Sequence, residues 1–167
     1  MKYIWIFLCS VFLSGAMAEN ASRWGFDPKD ATACLQKAID SGARKIVVDN
    51  TGSEWLVGPI ALRSDLELVF ADGVVVRALP GAFKGRNDCL FQAWDAAGIT
   101  IRGEGNAVLK MNKGDYQDGS RYQHSEWRHL ISLRGCENVV IRDLKLEGSG
   151  GDGIYVSTGC QMPGCRN

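Results

Sequence analysis

Residues 130–156, LISLRGCENVVIRDLKLEGSGGDGIYV, indicate the fold of this chain. Four short runs of β-strand composition, at 130–133, 139–142, 144–147 and 154–156, alternate with turns rich in Gly, Asn and Asp. No pattern of helical period separates these runs, and no two-residue Asn-Gly hairpin turn joins them. Short strands divided by sharp corners are typical of a chain that turns in the same sense at each corner. We therefore expect a coiled, parallel solenoid.

One corner of this stretch recurs along the sequence. GCEN at 135–138 leads into the strand VVIR, and GCRN at 164–167 repeats it. Looser copies are WDAAG at 94–98, before ITIR, and LRSD at 62–65, before LELVF. If these corners stack, Asn138 and Asn167 would form an amide ladder at the inter-strand spacing of about 4.8 Å. A β-sandwich has strands and turns of similar length and is the alternative.

Composition sets the broad class of the protein. The 167 residues are 46% apolar and carry zero formal net charge, which predicts one globular domain. The balance of charge shows no basic excess of the kind that indicates nucleic acid as a partner.

Residues 1–18 have the pattern of a secretory signal peptide. Lys2 supplies the positive start, an apolar run follows at 3–13, and Ala16-Met17-Ala18 is a small-x-small cleavage site. The alternative is a transmembrane anchor, but the run is too short to span about 30 Å of hydrocarbon. We expect a mature chain that begins at Glu19, is secreted or periplasmic, and has no membrane contact after cleavage.

Five cysteines follow the signal, an odd number for an exported protein: Cys34, Cys89, Cys136, Cys160 and Cys165. Cys160 and Cys165 are close enough in sequence to bridge a small loop, whereas Cys136 would lie below Cys165 if the corners stack. Unpaired cysteines packed as small core residues are an equal alternative. No pair has CxxC spacing, so we assign no metal to them.

An amphipathic helix is predicted at 26–42. Asp27 suits its amino-terminal cap, Pro28 its first turn and Gly42 its end. One apolar face is formed by Ala31, Cys34, Leu35, Ala38 and Ile39. We expect this helix, within an amino-terminal segment 19–44, to cover the open end and strand edges of the first coil. Residues 45–167 would then form the coils.

Two polar insertions, at 79–88 and 112–128, interrupt the predicted coils. Long loops in a compact domain are often functional. The second insertion carries Tyr116, Tyr122, His124 and Trp127, and aromatic faces beside hydrogen-bonding groups suit the faces and hydroxyls of a sugar ring. These four residues are candidate substrate-binding residues. The alternative is an ordinary solvated loop with a packed Trp127.

The order of these segments resembles a known family. FDPKDATACLQKAID, KIVV, LRSDLELVFADGVVVRA and NVVIRDLKLEGSGGDGIYV are together similar to the amino-terminal portion of the pectin-lyase-like superfamily, which includes polygalacturonases and pectate lyases. The resemblance spans the mature chain. It implies an all-β, right-handed parallel β-helix with an amino-terminal capping α-helix, and members differ in function.

The segment GDGI at 151–154 is similar to the Asn-Thr-Asp-Gly-Ile segment of polygalacturonase-type hydrolases, whose Asp is catalytic. The resemblance implies that Asp152 is catalytic, although Gly150 and Gly151 stand where those enzymes have Asn and Thr. A turn Asp before Gly is the alternative. The family's other catalytic motifs would follow Asn167, so we expect a solenoid incomplete at its carboxyl end and inactive alone.

Three functions stay open at this point. The first is an exported glycoside hydrolase acting on a uronate-containing, pectin-like polysaccharide, which needs two carboxylates about 6.5–9.5 Å apart if it inverts. The second is a polysaccharide lyase, in which Arg or Lys acts as base and calcium neutralises the uronate. The third is a noncatalytic glycan-binding or structural β-helix. We identify no cofactor otherwise, because Asp143, Glu147 and Asp152 have no ligand-set spacing. The full-length protein is expected to be a monomer.

Overall fold

A computed structural model describes residues 18–157 and shows a chain that is mostly β-strand. The strands are β1 (Glu19–Asn20), β2 (Lys45–Val48), β3 (Trp55–Val57), β4 (Ile60–Ala61), β5 (Leu66–Phe70), β6 (Val75–Ala78), β7 (Phe91–Trp94), β8 (Ala97–Gly103), β9 (Val108–Lys110), β10 (Ile131–Arg134), β11 (Glu137–Arg142), β12 (Lys145–Glu147) and β13 (Ile154–Ser157). The helix α1 (Thr32–Asp40) and a 3₁₀ helix at Ala21–Trp24 precede β2, and a 3₁₀ helix at Asp115–Gln117 follows β9.

The strands form three sheets in which every paired strand is parallel to its neighbour. The first sheet has the order β1-β2-β5-β8-β11, the second β3-β6-β9-β12 and the third β4-β7-β10-β13. From β2 onward, each strand is followed in the chain by a strand of the next sheet. The chain therefore winds through four coils, at 45–61, 66–94, 97–134 and 137–157. The predicted parallel solenoid is confirmed, and the β-sandwich alternative is wrong because its strands would be antiparallel.

Apolar side chains of successive coils stack in columns and form the core. One column in the first sheet contains Ile46, Leu68, Ile101 and Ile141. The third sheet contributes Ile60, Phe91 and Ile131 in register, each 0% exposed. Complete burial of such a side chain stabilises the fold by about 1.5–3 kcal/mol relative to exposure.

The predicted corners also stack. The strand register places Asp65, Gly98 and Asn138 at the same position of successive coils. All three have left-handed backbones, with φ of 55°, 70° and 53°, a conformation that Gly, Asn and Asp tolerate best. Asn167, the predicted ladder partner of Asn138, lies outside the described residues.

Helix α1 begins later than the sequence predicts. Asp27 does not cap it: its carboxylate accepts the N–H of Lys29 at 2.8 Å, and that of Asp30 accepts the N–H of Thr32 at 2.9 Å. These local side-chain turns compete with the helix, which starts at Thr32. The predicted apolar face is buried throughout, from Ala31 to Ile39.

The edges of the first coil are satisfied by two different elements. In the first sheet, β1 pairs with β2, so a strand and not the helix covers that edge. Helix α1 hydrogen bonds the other two sheets. The Oγ1 of Thr32 accepts the N–H of Gly58 at 2.7 Å, and the Oε1 of Gln36 accepts the N–H of Ala61 at 2.9 Å.

The described cysteines, Cys34, Cys89 and Cys136, are buried and free. They behave as small core residues, one of the two predicted alternatives. The predicted signal sequence, Cys160 and Cys165 lie outside the residues that the structure describes.

Candidate functional site

The coils differ in length mainly at one corner. The column positions Ile46, Leu68, Ile101 and Ile141 show that successive coils take 22, 33 and 40 residues. The additional residues form the second-coil loop (79–90) and the third-coil loop (111–130), both of which connect the second sheet to the third. The fourth coil has at this corner only a short segment, 148–153, here called the Asp152 turn. The three segments therefore lie on the same side of the solenoid.

A cavity of about 590 Å³ lies between the third-coil loop and the Asp152 turn. Its lining includes all five residues that the sequence selects: Tyr116, Tyr122, His124, Trp127 and Asp152. Glu126, His129 and Tyr155 also line it. The stacking of coils thus brings the two candidate segments, which the sequence identifies separately, into one site.

Tyr116 and Tyr122 serve mainly to hold the third-coil loop in place. Their side chains are only 8% and 4% exposed, and their rings pack edge to face with centroids 5.4 Å apart. The hydroxyl of Tyr122 accepts the N–H of Gly81 at 3.1 Å, which connects the two loops. Burial raises the pKa of Tyr116 to about 12. Most of each ring is engaged in packing, in contrast to the open faces expected from the sequence.

Arg128, which the sequence analysis does not select, holds both loops together. It is 0% exposed, and its guanidinium carbon lies 5.3 Å from the ring centre of Tyr116 and 5.7 Å from that of Tyr122. Its Nε donates to the carbonyl of Phe83 at 2.9 Å, and its Nη2 donates to that of Gln123 at 2.9 Å. The two tyrosine rings and these carbonyls partly replace the hydration of the buried cation.

Three aromatic rings form a cluster beside strands β10 and β13 of the third sheet. The rings of His129 and Tyr155 are stacked, with centroids 4.6 Å apart and an interplanar angle of 6°. Trp127 packs edge to face on both, at 6.0 Å from His129 and 5.8 Å from Tyr155. Trp127 nevertheless remains 45% exposed. It is therefore the cavity aromatic that is best placed to contact an apolar ligand face.

His129 binds the backbone of Asp152. The N–H of Asp152 donates to Nδ1 of His129 at 2.9 Å, and the carboxylate Oδ2 lies 3.7 Å from the same nitrogen. An accepting Nδ1 is unprotonated, so the neutral ring carries its proton on Nε2. Burial is the main reason that the pKa of His129 is lowered; the Asp152 charge acts in the opposite direction.

The glycines before Asp152 are explained by close contacts. A β-carbon on Gly150 would lie 2.6 Å from the Tyr116 ring and 3.1 Å from Cβ of Arg128. A β-carbon on Gly151 would overlap the carbonyl oxygen of Glu126. The third-coil loop therefore occupies the space that the Asn and Thr side chains of the similar hydrolase segment would need. This departure from the family pattern allows the loop and the Asp152 turn to pack directly together.

Two acidic residues line the cavity. Asp152 has a side chain that is 67% exposed, and Glu126, also exposed, lies on the opposing third-coil loop. Glu126 is not among the site residues predicted from the sequence. The sequence shows only that it lies beside Trp127 in a predicted functional loop. That this loop meets the Asp152 turn depends on the register of the coils.

A second groove, of about 460 Å³, adjoins the cavity. It is lined by Arg86, Asn87, Trp127, Arg134 and Tyr155, and so shares Trp127 and Tyr155 with the cavity. The guanidinium carbon of Arg134 lies 5.6 Å from the ring centre of Tyr155. Acidic residues thus line the cavity and two arginines line the adjoining groove, and Trp127 and Tyr155 are common to both.

Residues 18–157 contain no group of three or more His, Cys, Asp or Glu side chains placed to hold a metal ion. Within the same residues, no helix is long and apolar enough to cross a membrane.

Comparisons with known proteins find similar chains, among them the following two. No model of a known protein family matches. Uncharacterized protein YclG of Bacillus subtilis (strain 168) is 30% identical, and the match covers 84% of this chain and 27% of that relative's length. A crystal structure from Parabacteroides merdae ATCC 43184, of a protein provisionally described as a glycosyl hydrolase, superposes with a TM-score of 0.60. It is 16% identical, and the match covers 86% of this chain and 81% of that one. The likeness shows that the two share a fold.

Proposed function

We propose that this chain belongs to an exported, carbohydrate-active protein of the pectin-lyase-like superfamily, and that it acts as a glycoside hydrolase on a uronate-containing polysaccharide. In this proposal the coils are right-handed and α1 is their amino-terminal cap. The bonds from Thr32 and Gln36 to strand edges support the capping role. The predicted signal peptide supports export.

The observation that carries the proposal is that two acidic residues and an exposed tryptophan line one cavity. Asp152 and Glu126 belong to successive coils, and Trp127 follows Glu126 directly. Glycoside hydrolysis requires a carboxylic acid that protonates the leaving oxygen and a carboxylate that activates water or attacks the sugar. A flat aromatic face stabilises the apolar side of the ring. The cavity provides each of these groups.

The groove beside the cavity supports a uronate substrate. Arg86 and Arg134 line it, and a guanidinium group binds a carboxylate with two parallel hydrogen bonds. A polymer that crosses the Trp127–Tyr155 pair would place one sugar near Asp152 and the acidic group of its neighbour near the guanidinium groups. The 16%-identical structure provisionally described as a glycosyl hydrolase is compatible with this class of activity.

The direct test is an assay of the full-length protein on uronate-containing polysaccharides for new reducing ends. We expect Asp152→Asn to lower the rate by at least about 100-fold, because it removes an ionisable group required for proton transfer. Asp143→Asn is the matched control, since Asp143 is an exposed acid that does not line the cavity. Equal rates for the Asp152→Asn variant and the unaltered protein would exclude Asp152 from catalysis.

Elimination by a polysaccharide lyase is the second candidate, and Arg134 favours it. A lyase needs a base next to the uronate carboxyl, and Arg134 lies beside Tyr155 in the adjoining groove. The same assay separates the two reactions, because elimination gives an unsaturated product that absorbs in the ultraviolet. Binding without either product would indicate the noncatalytic, glycan-binding alternative.

A further inference from the structure

We propose that His129 is a positioning residue that fixes Asp152 in the cavity through an unprotonated Nδ1. The role of Asp152 in this inference rests on the proposed function. In this role His129 does not act on the substrate, and the site requires its tautomer with the proton on Nε2.

The first observation is the hydrogen bond between successive coils. The register pairs Ile131 with Ile154, which places His129 directly beside Asp152. The Asp152 N–H then donates to Nδ1 at 2.9 Å, and the ring is only 1% exposed. A buried bond of this kind holds the peptide that precedes the Asp152 side chain. The direction of the carboxylate into the cavity consequently depends on the position of the imidazole.

The second observation concerns the other ring nitrogen. The Nε2 of His129 is buried and has no hydrogen-bond partner in the described part of the chain. The ring is therefore oriented by its bond to Asp152, by the stack on Tyr155 at 4.6 Å and by the edge-to-face contact with Trp127 at 6.0 Å. These contacts join the acidic side of the cavity to its aromatic side. An unsatisfied buried donor is unfavourable for folding, which favours a functional explanation of this histidine.

Protonation would change Nδ1 from a hydrogen-bond acceptor into a donor. A proton there would face the N–H of Asp152, so the bond would break, and the Oδ2 at 3.7 Å would become the nearest acceptor. The carboxylate would then turn from the cavity toward the ring. Burial and the charge of Arg134 oppose this protonation, whereas the charge of Asp152 favours it.

Two substitutions separate the hydrogen bond from the ring stack. His129→Asn keeps an acceptor close to the Nδ1 position but loses the ring. His129→Phe keeps the stack on Tyr155 but has no acceptor. If His129 positions Asp152, the Phe variant should lose about 30-fold to 100-fold in kcat with little change in KM, since a small displacement of a catalytic group has effects of this size. The Asn variant should stay within about threefold of the unaltered protein.

The pH profile gives a readout that a purely structural role would not change. The unaltered protein should lose activity on the acid side as His129 is protonated, and the Asn variant should lack that step. Equal losses in the Asn and Phe variants, or an unchanged acid limb in the Asn variant, would overturn the proposal. Near-ultraviolet circular dichroism establishes that each variant keeps its aromatic packing.

A measurement without substrate keeps the inference separate from the proposed function. Hydrogen exchange of the Asp152 amide, followed by NMR, should be slow in the unaltered protein and in His129→Asn, and much faster in His129→Phe. Slow exchange in the Phe variant would overturn the positioning role even if hydrolysis is found. Conversely, the expected exchange pattern without turnover of any uronate polymer would overturn the proposed hydrolysis and leave the His129–Asp152 link intact.

Discussion

The α-carbon of Gly151 faces the carbonyl oxygen of Glu126 so closely that no β-carbon fits between them. This contact joins the Asp152 turn to the third-coil loop and sets the distance between the two cavity walls. A side chain at position 151 would separate them.

We therefore expect Gly151→Thr, which restores the residue of the similar hydrolase segment, to destabilise this protein. The loss should be about 1–3 kcal/mol, the usual range for overpacking, and urea unfolding measures it. Gly114→Ala is the control, because nothing lies within 4 Å of its added β-carbon and its φ is negative. An unchanged midpoint for Gly151→Thr would show that the two segments can move apart freely.

Arg128→Met should loosen both long loops. The change keeps the length of the buried stem but leaves the carbonyls of Phe83 and Gln123 without their donor. We expect a loss of about 2–4 kcal/mol in the free energy of unfolding, together with faster proteolysis in 79–90 and 111–130. Arg142→Met, at an exposed position, should change stability by less than about 0.5 kcal/mol. Similar small effects of both substitutions would contradict the structural role of Arg128.

Stability should fall as the pH is lowered through the histidine range. The pKa of folded His129 lies below its ordinary value of 6.5, mainly because of burial. The unfolded chain then binds the proton more readily than the folded protein does. The contribution of neutral His129 to folding stability is therefore present above about pH 6.5 and is lost as the pH falls toward the folded-state pKa. Thermal unfolding of His129→Phe should lack this step. Because His124 is unchanged in both proteins, a step that persists would belong to another group.

The ion pairs on the outer face of the first sheet should contribute little to the stability of the fold. Arg102 hydrogen bonds Glu67 at 2.9 Å and is the main cause of its lowered pKa. Since the Glu67 side chain is 35% exposed, we expect Glu67→Gln to reduce stability by about 0.5–1 kcal/mol at neutral pH. The difference should disappear at high salt and as the pH falls below 4.5, the ordinary pKa of Glu. A difference that persists in high salt would point to packing.

Trp127 should report carbohydrate binding. Its ring is 45% exposed at the cavity, so a bound oligosaccharide should alter its fluorescence, and Trp127→Ala should weaken binding about tenfold. Trp24→Ala is the matched control, because Trp24 is also partly exposed but lies outside the cavity lining. Equal affinities for the two variants would remove Trp127 from the binding site.

The sequence predicts those features that repeat from coil to coil. Short apolar strands and left-handed corner residues such as Asp65 and Asn138 follow from local composition and turn chemistry. The predicted start of helix α1 was wrong because Asp27 and Asp30 form local side-chain turns. Capping rules do not decide whether such turns or the helix will form.

The site was only partly predictable for a different reason. Asp152 and Trp127 stand in recognisable segments, whereas Arg128, Glu126 and His129 gain their roles from residues in other coils. Such contacts depend on the register of distant strands. For example, the two neighbours of His129, at positions 152 and 155, become identifiable once Ile131 is known to pair with Ile154.

The unequal coils, of 22, 33 and 40 residues, show that the strand columns repeat while the connecting segments vary in length. Most of the variation enters at the corner between the second and third sheets, where residues 58–59, 79–90 and 111–130 connect the strands of the first three coils. Loops grafted at this corner can therefore reshape the binding surface while the winding of the scaffold stays the same. A single scaffold could in this way be diversified toward polymers with different side groups by exchanging 79–90 and 111–130 alone.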